Sequence, residues 1–298
     1  MRTVYLGTSA FAADVLDRLA STPHRPALVV TRPDRPRGRG RKVVPPPVAE
    51  SARLLGIELL QPDDLNAEET RAAIAAAKPE VVCICAYGAI IREPLLSEHE
   101  MLNVHPSLLP RWRGAAPIER AIEAGDDEAG VTIMRPIAEL DAGPLCLQRA
   151  ESIHPQDDFG TLSARLAALG GELLIEALDL RPPFREQPEE GVTYAEKIER
   201  GDRLLDPALM PDVLERRVRA LTPHIGAFVE LPWGEPLGVL RAGIAGEEGP
   251  EPGALEARDG RLLYGATGGA LELLEVHPAG KRAMGAGAWL RGNAGRLG

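Results

Sequence analysis

The run Met101–Pro117, MLNVHPSLLPRWRGAAP, sets a carboxamide, Asn103, two residues before an imidazole, His105. In a β-strand this spacing projects both side chains to one face while Leu102 and Val104 point to the other. Pro106 lacks the N–H that a ladder needs, so it stops the strand there. A hydrogen-bond donor and a titratable ring then stand at a strand's C-terminal end, where open α/β sheets place their ligands. A single histidine at such a position is more often structural than chemical, so a third group is needed. Asp141 is the best candidate, because Gly143 and Pro144 force a tight turn just after it. A carboxylate close to an imidazole favours the protonated ring. Such a trio can bond a carbonyl oxygen through the amide, stabilise its developing negative charge with the ring, and move protons through the carboxylate.

No residue of the run is an obvious covalent nucleophile. Ser107 lacks a G-x-S-x-G elbow, and Cys83, Cys85 and Cys146 have neither metal-ligand spacing nor catalytic placement. The cysteines read as buried thiols of a reducing cytoplasm. The trio therefore suits acyl transfer to a nucleophile carried by a second substrate, and no metal is called for. The residues alone name neither donor nor acceptor.

These groups need a rigid frame. Residues 2–7 read as a buried strand, Phe11–Ala20 as an amphipathic helix with Phe11, Val15, Leu16 and Leu19 on one face, and Ala27–Thr31 as a second strand. That order predicts a parallel, right-handed crossover. Helices are expected at Val48–Leu55 and Ala67–Ala77, with a short strand at Glu58–Leu60. Glu80–Ala86, EVVCICA, hardly alternates, as befits a central strand covered on both faces, and Tyr87-Gly88 ends it. Ala115–Ala124 reads as a helix with Pro117 in its first turn. Strands follow at Val131–Arg135 and Leu145–Arg149, then a helix at Thr161–Leu180 with a leucine stripe. Arg181–Gly191 is rich in proline and charge and reads as a linker. Beyond a helix at Asp212–Leu221, short strand-like runs between glycine and proline turns predict a small β-barrel. The expected division is 1–180, a linker at 181–203, and 204–298.

The chain of 298 residues is 44% apolar and 26% charged, a globular composition. No apolar run reaches the ~18–20 residues of a membrane span. A net charge of −10 disfavours non-specific attraction to nucleic acid. Yet Thr31–Lys42 gathers Arg32, Arg35, Arg37, Arg39, Arg41 and Lys42 against one acid, Asp34. With its prolines and glycines this stretch reads as a long surface loop without regular structure, offered to a localised anionic partner.

NVHPSLLPRWRGAAP resembles the signature of the folate-dependent formyltransferases. The likeness extends over nearly the whole chain: GTSAFA, TRPDRPRGRGRK, AYG, GVTIMRPIAELDAG, VTYAEKI and HPAGKRAM occur in the family's order. The resemblance implies a Rossmann-like, mostly parallel sheet with flanking helices and an OB-like C-terminal barrel. It implies transfer of a formyl group from 10-formyltetrahydrofolate to the α-amino group of methionine on initiator tRNA, in the cytoplasm, by a monomer. Matched by motif, Asn103, His105 and Asp141 are the catalytic trio. Ser107, Leu108, Leu109 and Pro110, with Tyr87 and Gly88, are the folate contacts. The arginines of the basic loop, Lys42, Lys281 and Arg282 are the tRNA contacts. Ser9, Pro106 and Trp112 depart from residues common elsewhere in the superfamily without removing a polar catalytic group. Related enzymes formylating glycinamide ribonucleotide or a sugar amine, a formyl-folate hydrolase, and a non-catalytic RNA-binding relative are the alternatives. The basic loop, the additional domain and the intact trio disfavour them.

Overall fold

A strand buried along its whole length, Val81–Cys85, forms the middle of the N-terminal sheet. This computed structural model describes residues 1–37, 42–246 and 248–297. The sheet has seven strands in the order Leu145–Ser152, Glu128–Met134, Met101–His105, Val81–Cys85, Thr3–Gly7, Pro26–Val30 and Glu58–Leu60. From Met101–His105 to Glu58–Leu60 every pair is parallel, while Glu128–Met134 runs antiparallel beside Met101–His105. In register, Asn103 lies between Ile84 and Met134, and His105 lies opposite Thr132. The two candidate residues thus stand on the strand where the sheet changes from parallel to antiparallel.

The helices form as their periodicity requires. Ala10–Ala20 starts at Ser9, whose hydroxyl accepts from the Ala12 N–H at 3.2 Å, and buries Phe11, Val15, Leu16 and Leu19. Pro47–Leu55 and Pro117–Ala124 each carry proline in the first turn and end at a left-handed glycine, Gly56 and Gly125. Phe159–Leu180 buries Leu162, Leu166, Leu169, Leu173 and Leu174, each contributing about 1.5–3 kcal/mol of apolar burial. Gly170 on that helix faces the back of the site strand. A Cβ there would sit 2.9 Å from Val104 Cγ1, so only glycine allows this approach.

Two differences from the sequence expectations stand out. Arg35–Arg37 pairs antiparallel with Lys42–Val44 as a short hairpin, where no regular structure is expected. A two-stranded ribbon has an open edge on each side, so Pro36 can sit in it without leaving a ladder bond unmade. The segment 181–194 also belongs to the N-terminal unit, which comprises 1–114, 129–152 and 163–194. There Leu145 and Arg185 exchange both backbone hydrogen bonds at 2.9 Å.

The second unit comprises 115–128, 153–162 and 195–298. Its six-stranded antiparallel sheet runs Ala227–Glu230, Pro236–Ala245, Gly269–Pro278, Arg261–Ala266 and Leu255–Arg258, with Met284–Gly285 also paired to Gly269–Pro278. Val229, Leu237, Val239, Leu262, Leu271 and Val276 form its core with Leu214 and Val218 of the helix Pro211–Leu221. Among the described residues no helix is long and apolar enough to cross a membrane.

Burial pushes the Cys83 and Cys85 thiols up to about 12, while Cys146 is only half-buried. At pH 8 roughly one part in ten thousand of each buried thiol is ionised. Titration with a disulfide reagent should therefore find both silent in the native protein and reactive in denaturant, with Cys146 the first to react. Fast native labelling of Cys83 or Cys85 would contradict this core.

Candidate functional site

His105 is buried, and its Nε2 lies 2.9 Å from the backbone carbonyl oxygen of Trp112. A carbonyl only accepts, so Nε2 carries the proton and Nδ1 is the nitrogen left to act. Nδ1 faces Asp141 Oδ2 at 3.7 Å. That separation is an ion-pair distance rather than a hydrogen bond. A proton arriving at Nδ1 would make the ring cationic directly beside the carboxylate. Asn103 is half-buried, and among the described residues its Nδ2 bonds only to the Met134 thioether, at 3.5 Å. Sulfur is a weak acceptor, so the carboxamide keeps nearly all its bonding capacity for a ligand.

The Asp141 carboxylate is held by a backbone N–H from a separate segment. Oδ2 accepts from the Gly114 N–H at 2.9 Å, and Oδ1 has no partner among the described residues. Gly114 has φ 120°, a conformation natural to glycine, and this aims its N–H at the carboxylate. Asp141 itself is left-handed at φ 48°. At Gly143 a Cβ would collide with the Arg135 carbonyl oxygen, so the loop closes only with glycine there.

The SLLP turn is fixed with similar economy. The Thr132 hydroxyl donates to the Ser107 carbonyl at 2.7 Å and accepts from the Leu109 N–H at 3.2 Å and from Gln148 Nε2 at 2.9 Å. Gln148 Nε2 also donates to the Leu109 carbonyl at 2.9 Å. The Ser107 hydroxyl donates to the Arg111 carbonyl at 2.7 Å. Leu109 is buried with Met134 and Leu145, whereas Leu108 and Pro110 are half-buried.

A family profile described as "Formyl transferase" matches residues 1–178, and "Formyl transferase, C-terminal domain" matches residues 197–294. The chain belongs to the formyl transferase family. Methionyl-tRNA formyltransferase of Bordetella bronchiseptica is 43% identical over 98% of this chain and 99% of that protein. Its counterpart in Methylococcus capsulatus is 43% identical over 99% of this chain and 97% of its own. A structure of HypX from Aquifex aeolicus in complex with tetrahydrofolic acid superposes with a TM-score of 0.67 at 19% identity. That superposition covers 97% of this chain and 47% of HypX, so the chain spans about half the length of that protein and shares its fold.

The remaining expected contacts of this formyl transferase are spread out. The Tyr87 side chain is buried among Val4, Leu6, Val82 and Met101, which pushes its hydroxyl up to about 12, so only its backbone could face a ligand. The Tyr87 carbonyl already accepts from the Thr8 hydroxyl at 2.7 Å. Gly88 is exposed, and its carbonyl accepts from Arg32 Nη1 at 2.6 Å. Arg32 is thereby a brace at the hairpin's base. Arg35 is exposed on the hairpin, while Arg39 and Arg41 lie outside the described residues, as do the side chains of Arg37 and Lys42. Lys281 and Arg282 are exposed in the second unit. Among the described residues no cluster of side chains could hold a metal ion.

Sequence reasoning missed Thr132 and Gln148, and also Gln187, which donates to the Asp141 carbonyl at 2.8 Å, and Arg113, which donates to Gln187 Oε1 at 2.9 Å, because each acts across a long stretch of chain. The one local signal was at Thr132, a hydroxyl in the otherwise apolar run VTIM of a buried strand. Thr132→Val should remove about 1–3 kcal/mol of stability, since it strands the Ser107 carbonyl and Leu109 N–H. Thr132→Ser should retain most of it. Urea unfolding of the two variants, read beside folate affinity, checks this.

Proposed function

We propose that this chain transfers the formyl group of 10-formyltetrahydrofolate to the α-amino group of methionine on initiator tRNA. The observation that carries the reading is the approach of Asp141 to His105 beside an uncommitted Asn103 amide, in a chain whose near full-length relatives are methionyl-tRNA formyltransferases. The residues present fit a formyl-folate. The SLLP turn offers backbone groups and the half-buried Leu108 and Pro110 to a flat ring, with Tyr87 and Gly88 contributing backbone alone. The formyl-folate supplies an acyl carbon already bonded to an amine leaving group.

Asn103 Nδ2 donates to the formyl oxygen. His105, protonated at Nδ1, stabilises the negative charge that grows there as the aminoacyl nitrogen attacks. Because Nε2 is committed to Trp112, the ring cannot turn its charge elsewhere. Asp141 keeps that charge in place through Oδ2, and Oδ1, unpartnered among the described residues, takes the proton released by the attacking amine. As the tetrahedral centre collapses, the bond from the formyl carbon to folate N10 breaks, and that nitrogen leaves as the amine with the proton held at Asp141. The uncharged α-amine is the form that attacks, so the site must exclude bulk water without charging the nucleophile. The burial of His105 supports this.

The basic hairpin and Lys281 and Arg282 bind the RNA, the arginines pairing with phosphates and stacking on unpaired bases. A reaction on charged tRNA belongs in the cytoplasm. One copy of the chain supplies every residue named, and we take the working unit to be a monomer.

Formyl transfer to charged initiator tRNA, with glycinamide ribonucleotide as competing acceptor, tests the substrate. Preference for the nucleotide would sink the reading. His105→Ala should lower turnover by ~10²–10³, as loss of one oxyanion donor typically does. Near-normal turnover would remove His105 from the chemistry. The apparent affinity for tRNA should fall steeply with added salt, whereas that for formyl-folate should change little.

A further inference from the structure

We propose that Gln187 is a positioning residue for the reaction, acting by holding the Asp141 backbone in the conformation that presents its carboxylate to His105. The inference rests on the assignment of Asp141 above and extends it to a residue some 46 positions further along the chain.

The Gln187 carboxamide is bonded at all its principal positions. Its Nε2 donates to the Asp141 carbonyl at 2.8 Å and to the Gly143 carbonyl at 2.8 Å. Its Oε1 accepts from Arg113 Nη2 at 2.9 Å and Nε at 3.2 Å. Arg113 is buried and precedes Gly114, the residue whose N–H holds the carboxylate. Gln187 therefore joins the two segments that fix Asp141: the loop that carries it and the Arg113-Gly114 backbone that receives its carboxylate. The left-handed φ of 48° at Asp141 is unfavourable for a residue with a Cβ and needs outside support. Two hydrogen bonds onto the carbonyls of 141 and 143 supply that support, and no other side chain among the described residues bonds both.

Gln187 is itself held by its surroundings. Phe184 lies under the Arg135 guanidinium, 4.2 Å from the ring centroid, and Leu145 and Arg185 exchange backbone hydrogen bonds. On the other side the Thr193 carbonyl accepts from the Arg113 N–H at 2.9 Å, and the Thr193 hydroxyl accepts from the Trp112 N–H at 2.9 Å. The backbone around 187 should thus keep its course when the side chain changes. The amide is the only ordinary side chain of this length that can accept from a guanidinium and donate to carbonyls at once.

That double demand separates positioning from mere structure. Gln187→Glu keeps an acceptor for Arg113 but cannot donate to the Asp141 and Gly143 carbonyls, whereas Gln187→Met keeps neither. If the residue serves only to seat Arg113, the Glu variant should be nearly normal. If it holds Asp141, both variants should lose kcat by roughly ten- to a hundredfold, with KM for formyl-folate and for tRNA little changed.

The deciding measurement is single-turnover formyl transfer for Gln187→Met, Gln187→Glu, Asp141→Asn and the two double variants, with thermal unfolding run beside each. The expected result is that the loss seen for either Gln187 variant disappears in the Asp141→Asn background, because the residue acts through that carboxylate. A loss carried in full into that background, or an undiminished kcat in the Gln187 variants, overturns the proposal. Should Gln187→Met fail to fold, the Glu variant carries the same comparison. Asp141→Asn turning over like the parent would instead sink the assignment of Asp141 on which the inference rests.

Discussion

The carbonyl of Trp112 decides what His105 can do. By accepting from Nε2 it fixes the ring's orientation and its proton, so that Nδ1 alone addresses Asp141. The imidazole then has one productive direction, set by a backbone atom rather than by another side chain. Trp112 meets the demand only with left-handed backbone, at φ 63°, and its N–H is secured by the Thr193 hydroxyl. A bulky residue in that conformation is strained, and the strain sits next to the reacting groups. The Arg111 guanidinium stacked at 4.4 Å over the Trp112 ring helps hold the indole where this backbone leaves it.

Around this contact the loops are shaped by exclusion as much as by attraction. Gly143 leaves room for the Arg135 carbonyl, and Gly130 leaves room for the Leu108 side chain and the Arg149 carbonyl. Each glycine lets a loop approach the sheet more closely than any side chain would permit. Thr132 and Gln148 then bind the SLLP turn to the sheet through four hydrogen bonds. A turn anchored in that way presents its remaining backbone groups to a ligand without first having to reorganise.

Much of this was legible in the chain itself. The two-residue spacing of Asn103 and His105, and the unbroken run before Tyr87, identify a central strand and its polar end from periodicity alone. The antiparallel C-terminal sheet follows from short runs such as Arg261–Tyr264 and Ala270–Glu275, which the structure extends by a residue or more at their ends. What stayed hidden depends on distant partners. Nothing local marks Gln187, in a proline-rich stretch that reads as a tether, as a partner of Asp141. The arginines of Thr31–Lys42 read as one uniform patch, yet Arg32 is drawn away to the Gly88 carbonyl. The hairpin escaped because proline and glycine mask the pairing of a two-stranded ribbon, which demands little of its residues beyond an extended backbone.

The second unit borrows a helix from the middle of the chain. Glu119 of Pro117–Ala124 meets His224 Nε2 at 2.9 Å, and Glu123 meets Arg217 Nε at 2.6 Å, so this helix is seated beside Pro211–Leu221. A piece cut from 195 onward would lack those partners and would expose the surface they cover. The carboxyl-terminal module is therefore not a bead on a string that can be clipped off and studied alone. Its architecture is interleaved, and its completion waits on chain that emerges from the ribosome long before its own sheet does.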